Sequence, residues 1–176
     1  VDLIGQGFDA AIGGGFELPQ GVVARKLTPA HRVLVASAEY LGRHPAVLEP
    51  DDLKQHDGIL IRSPQTGRVR SWQLTSRDQQ HSPLSLRARM TMSDSEAACA
   101  TAAQGLGIAL VSMPFALGYL QAGTLQRVLA DWYVDDGNIS IYYAEHKLLP
   151  GKTRAFVDFV IEQFAEQGLA RRFSAV

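Results

Sequence analysis

Hydrophobic positions along this chain switch repeatedly between a period of two and a period near 3.6, and the switches divide it into short alternating elements. Residues 10–12 form a brief apolar run, read as a strand stopped by Gly13, Gly14 and Gly15. Residues 22–27 and 33–36 are rich in apolar and β-branched side chains and predict two further strands, with Thr28-Pro29-Ala30 as the turn between them. Periodicity is lost over residues 40–50. Residues 51–56 predict a short helix whose acidic start suits the positive end of a helix dipole. Residues 59–61 predict a buried strand. Residues 63–83 turn polar, broken mainly by Trp72 and Leu74, which predicts loops around one short strand. Residues 84–92 then alternate cleanly, with Leu84, Leu86, Ala88, Met90 and Met92 on one face, the pattern of a half-buried strand.

The most informative stretch follows. Ser93 and Glu96 stand in capping-box register, so a helix is expected to start there. Ala97, Ala98, Ala100, Ala102 and Ala103 keep its side chains short enough to lie close on a sheet, and Gly105 can take the left-handed conformation that ends helices. Residues 108–111 are wholly apolar and bounded by Pro114, which predicts a strand covered on both faces. Residues 115–120 predict a helix closed near Gly123, residues 125–129 a strand, and Ile139, Ile141 and Tyr143 another. Residues 153–167 place Phe156, Phe159, Val160 and Phe164 at helical spacing before Gly168. Helices that return through glycine turns into buried strands define the α/β class. In such folds ligands gather beyond the carboxyl ends of the strands.

Composition narrows the function. The chain has 176 residues, 46% hydrophobic and 20% charged, enough for one sizeable core or two small ones. Formal net charge is -1, with 17 basic residues scattered among 18 acidic ones, so no basic stripe is built to neutralise phosphates along a duplex. Cys99 stands alone, so no internal disulfide can form, which favours a cytoplasmic setting. No apolar run approaches the roughly twenty residues of a membrane helix, and no membrane partner is expected. The chain opens in mid-pattern at Val1 without an initiator methionine, so an upstream part is expected.

Motif chemistry is sparse. The 5 histidines His31, His44, His56, His81 and His146 show no metal-ligand spacing, so no metal and no cofactor is expected. The Gly-x-Ser-x-Gly elbow and the P-loop are both missing, which leaves catalysis without a nucleophile motif or a phosphate cradle. Cys99, in a small-residue helix without a basic neighbour, reads as a buried inert thiol.

Seven collinear strings resemble the effector-binding region of LysR-type transcriptional regulators: residues 7–12, 23–27, 32–41, 52–57, 93–114, 123–125 and 154–159. The resemblance implies two Rossmann-like lobes of the periplasmic-binding-protein type 2 architecture, joined by two crossover segments, with the start of lobe I missing. It places lobe I at residues 1–42 plus 148–176 and lobe II at 43–147, with crossovers near His44 and Lys147. It implies that a winged helix-turn-helix DNA-binding domain lies upstream, absent from this chain, and that the whole protein is a homodimer or homotetramer. A small-molecule effector would enter between the lobes and control DNA binding and transcription.

Candidate ligand-binding residues follow from that topology. Ser93, Asp94 and Ser95 offer a helix start to an anionic group, or serve only as their own helix's cap. Arg62 and Ser63 leave a strand end where the guanidinium can pair with a carboxylate or stand solvated. Gly13, Gly14, Gly15 and Phe16 follow a strand and either let backbone approach a ligand or make a flexible turn. Trp72 can wall a pocket or anchor a loop. Ser112, Thr28 and Ser37 flank strand ends and are placed by topology alone. The alternatives to an effector domain are a solute-capture protein serving a transporter, marked by a cleavable leader, and an enzyme reusing the cleft.

Overall fold

The structure, a computed structural model, describes residues 7–14, 20–63, 66–145 and 149–176. In chain order its elements are β1 (Ala10–Gly14), β2 (Val22–Ala36), α1 (Ala38–Gly42), a 3-10 helix (Pro50–Gln55), β3 (Asp57–Ile61), β4 (Gln73–Ser76), β5 (His81–Pro83) and β6 (Arg87–Met92). They continue with α2 (Ser95–Ala103), β7 (Ile108–Ser112), α3 (Met113–Gln121), β8 (Gln126–Val128), β9 (Trp132–Ala144), α4 (Gly151–Glu166) and α5 (Leu169–Arg172).

Contacts divide the chain into two units, residues 1–30 with 136–174 and residues 31–135 with 175–176. The chain passes between them within β2 and within β9, at residues 30/31 and 135/136, whereas the sequence reading expects the changes near 42 and 147. Thr28-Pro29-Ala30 is not a turn. It is extended backbone inside one strand of 15 residues, because proline is compatible with extended dihedrals and marks no reversal on its own.

In the second unit β3 runs parallel to both β6 and β7, while β2 is antiparallel to β7 and β8. Side chains leave a strand alternately to its two faces, and both faces are buried. Val33 and Val35 of β2 with Ala109 and Val111 of β7 enter one core, together with Ala98, Cys99 and Ala102 of α2 and Met113 and Ala116 of α3. Leu34, Ala36, Ile108 and Leu110 enter the other, against Tyr40, Leu53, Leu74, Val128 and Val134. The alanine-rich helix therefore does what its composition predicts: small side chains bring it onto the sheet. Gly105 ends it in the left-handed region, at φ 73°. Burial pushes the Cys99 thiol up to about 12, with a smaller push from the Glu96 carboxylate, so the thiol is inert at neutral pH.

Three sequence expectations give way to packing. The alternating stretch before Ser93 forms a strand only from Arg87, and Ala88 and Met90 are exposed rather than half-buried. Strand β6 is the edge of its sheet, and alternation reports a two-faced strand without saying whether anything covers either face. The polar stretch contains a β4–β5 hairpin, with Leu74 opposite Ser82, instead of a single strand. A short helix, α1, occupies the aperiodic stretch, capped by the Ser37 hydroxyl, which accepts from the Tyr40 amide at 3.2 Å.

In the first unit β1 pairs antiparallel with β9, from Ala10 opposite Tyr143 to Gly14 opposite Ile139. Helix α4 packs Val157 and Val160 onto Leu27 and Ile141, and Thr153 is buried on the same side. Phe156 and Phe159, expected in the buried stripe, are 47% and 59% exposed. The helix carries two neighbouring apolar rows, and periodicity cannot say which one meets the sheet.

Gly107 tests the close approach of β3 and β7. A Cβ there would lie 2.6 Å from the Asp57 carbonyl oxygen, on a backbone at φ 154°. Gly107→Ala is expected to lower unfolding free energy by about 3 kcal/mol through overpacking and backbone strain. Gly118, with open space around it in α3, gives the contrast: Gly118→Ala should raise it by about 0.5 kcal/mol, both read from urea midpoints.

Candidate functional site

Parallel strands β3, β6 and β7 end together in the second unit, and the chain leaves each end differently. After β3, Arg62 donates its amide to the Met92 carbonyl at 2.9 Å, which seats it beside Ser93. Arg62 then bridges Val69, and Ser63 donates its amide to the Arg68 carbonyl at 2.8 Å. After β6 the chain enters α2. After β7 it enters α3, where Ser112 is the cap residue and Pro114 sits in the first turn. Two helix starts and one arginine thus share the carboxyl edge of this sheet, where unpaired amides and a positive dipole end favour negative groups.

The start of α2 departs from the expected capping box. Asp94 is the cap, its carboxylate accepting from the Ala97 amide at 2.8 Å. Glu96 instead accepts the Tyr119 hydroxyl hydrogen at 2.8 Å, tying α3 to α2. That bond is the largest cause raising the Tyr119 phenol above its ordinary value, burial being next. A tyrosine from another helix outcompetes the local partner, so the helix begins one residue later. Ser95, at 9% exposure, becomes its first residue and lies mostly inside.

The other expected residues fall in both units. Ser63 and Ser112 are half-buried at the same edge as Arg62. Trp72 is half-buried against the Leu34–Leu110 core, with the Arg32 and Arg70 guanidinium carbons 4.7 and 4.1 Å from its ring centroids, a loop anchor in contact with two cations. Gly13 and Gly14 belong to the first unit and extend β1 rather than ending it. A Cβ at Gly14 would lie 2.9 Å from the Asn138 carbonyl oxygen, so the glycine admits a neighbouring strand. Gly15, Phe16, His146 and Lys147 lie outside the described residues. Ser37 is spent as the α1 cap, and Thr28 is wholly buried in β2.

Sequence reasoning missed the polar cluster at the opposite, amino edge of the same strands. The Asp57 carboxylate accepts from Arg87 Nε and Nη2 at 2.9 and 2.6 Å and from Arg89 Nη1 at 2.7 Å. These hydrogen bonds, Arg87 first, hold its carboxyl below the usual carboxylate range. The only signal in the sequence is the i, i+2 spacing of Arg87 and Arg89, which puts both on one face of a strand. Among the described residues no group of three His, Cys, Asp or Glu side chains is placed to hold a metal ion, and no helix is long and apolar enough to cross a membrane.

Comparison with known proteins agrees with this architecture. Residues 1–165 match the LysR substrate binding domain family. An HTH-type transcriptional regulator of Escherichia coli K12, YcaN, itself uncharacterized, is 27% identical over 161 residues, 91% of this chain and 52% of its own length. The regulatory domain of AphB from Vibrio vulnificus superposes with a TM-score of 0.75 at 27% identity, covering 89% of this chain and 76% of that one. Full-length AphB of Vibrio cholerae, a virulence activator, gives 0.77 at 31% identity, covering 93% of this chain and 54% of that one.

The chain belongs to the LysR substrate-binding domain family, the effector-binding regulatory part of LysR-type transcriptional regulators, with the periplasmic-binding-protein type 2 fold. It spans about half the length of the curated relatives it matches.

The cap assignment is testable. Asp94→Ala should cost about 1 kcal/mol of stability in urea unfolding, whereas Ser93→Ala should stay within about 0.3 kcal/mol of the parent.

Proposed function

We propose that the whole protein is a cytoplasmic, homo-oligomeric DNA-binding regulator, with a winged helix-turn-helix upstream of Val1 as its DNA contact and this chain as a non-catalytic sensor of a small molecule. The effector carries an anionic group, received at the carboxyl edge of the second unit by Arg62, Ser63, Ser93, Ser95 and Ser112. One observation carries this reading: Arg62 is seated beside Ser93 by the hydrogen bond its backbone amide donates to the Met92 carbonyl, at an edge where two helices begin. A guanidinium with a free face and helix-start amides are complementary to a carboxylate. Binding regulates only to the extent that the ligand prefers one arrangement of the domain over another.

A thermal-shift screen of carboxylates, aromatics and amino acids on the intact protein should find a ligand that raises the midpoint. Arg62→Ala should then weaken that ligand at least about tenfold, the worth of a charge-assisted hydrogen bond, and Ser95→Ala should weaken it less. If both variants respond as the parent does, the site assignment is wrong. The full reading frame decides between regulator and solute-capture protein: a helix-turn-helix upstream supports the regulator, and a secretion leader overturns it.

A further inference from the structure

We propose that the corner formed by α1, the 3-10 helix and the start of β3 is a proton-operated latch that opens when His56 takes up a proton. His56 is wholly buried where the 3-10 helix runs into β3. Its Nδ1 lies 3.3 Å from the Tyr40 hydroxyl, and that hydroxyl accepts the Asp57 amide hydrogen at 3.0 Å. The phenol oxygen has room for a second hydrogen bond, so the tautomer of His56 sets the direction of this contact. The latch takes the neutral tautomer with its hydrogen on Nε2, in which the phenol donates its single hydrogen to Nδ1.

That Nε2 is buried and has no hydrogen-bond partner. A proton added to Nδ1 meets the phenol hydrogen, forces it away, and leaves a cation whose Nε2 hydrogen still has no acceptor. Every charged group facing the ring is already engaged. On β3, Asp57 is held by Arg87 and Arg89 of β6. On the 3-10 helix, Asp52 accepts the Leu48 and Glu49 amides at 2.9 and 3.0 Å. After α1, His44 stacks on Tyr40, with its ring 6.0 Å from that of His56 and its Nδ1 bonded to the Tyr40 carbonyl at 2.8 Å. Burial first, then His44, holds the His56 imidazole below the usual histidine range, against the smaller pull of Asp52 and Asp57.

A cavity of about 330 Å³ walled by Tyr40, His44, Asp57 and the exposed arginines Arg43 and Arg89 brings water to the rim of this cluster. The closed corner binds fewer protons than the open one. Its stability is therefore fully present above the ordinary histidine value, about 6.5, and falls as pH drops below it toward the lower folded value.

Amide hydrogen exchange on the intact protein between about pH 8 and pH 5 tests the latch. After correction for intrinsic exchange, protection of the Asp57 amide should fall by up to about tenfold per pH unit below about 6.5, while the amides of β7 keep theirs. His56→Asn, which keeps an acceptor for Tyr40 without a titrating ring, should flatten the profile, and His44→Asn should not. An unchanged profile in His56→Asn, a flat one in the parent, or equal loss in β7 overturns the proposal. Should His56→Asn fail to fold, the parent decides by the NMR signal of the His56 ring. A ring still neutral at pH values where Asp57 loses protection supports the latch, and a ring titrating at the ordinary value with protection intact overturns it.

Discussion

The second unit depends on one constraint: strands β2 and β7 must bury both of their faces at once. Neighbouring residues go to opposite cores, Val33 and Val35 to one and Leu34 and Ala36 to the other, so each strand belongs to two packing problems at the same time. One face can be closed by a helix lying very near the sheet only if that helix has little side chain to interpose. Ala98, Cys99 and Ala102, all fully buried, meet that requirement. The close approach of β3 to β7 leaves Gly107 no room for a Cβ beside Asp57, so the turn between α2 and β7 is set by the sheet as much as by the helix.

Once the strands are fixed, their two ends acquire different chemistry. At the amino edge the polar groups pair with one another, His56 Nε2 excepted: Asp57 takes two arginines, Tyr40 joins Asp57 to His56, and Arg43 donates to the Gly105 carbonyl at 3.3 Å. At the carboxyl edge they are partly unspent, with Arg62 exposed and two helices beginning. Membership of the LysR substrate-binding domain family gives that polarity a purpose without naming the effector.

The candidate site was only partly legible. Arg62, Ser63, Ser95 and Ser112 do gather at one edge, because strand order and direction place the residues that follow β3, β6 and β7, and those are written in the sequence. Trp72 and Gly14 are placed by other contacts. The Trp72 ring is held by two arginines, and Gly14 makes room for Asn138, contacts between segments far apart in the chain. Glu96 is the clearest case: its spacing from Ser93 fits a local cap, yet Tyr119 of another helix takes it.

By itself the sequence determined the α/β class, the position of most of the longer elements and the doubly buried character of β7. Those follow from local periodicity, capping and turn chemistry, which act over a few residues. Tertiary structure alone decided that β2 runs unbroken through Pro29, that Val157 rather than Phe156 faces the sheet, that β6 stands at an exposed edge, and where each carboxylate found its partner. Each is a choice between options locally equal in energy, and only contacts with distant parts of the chain make one of them lower.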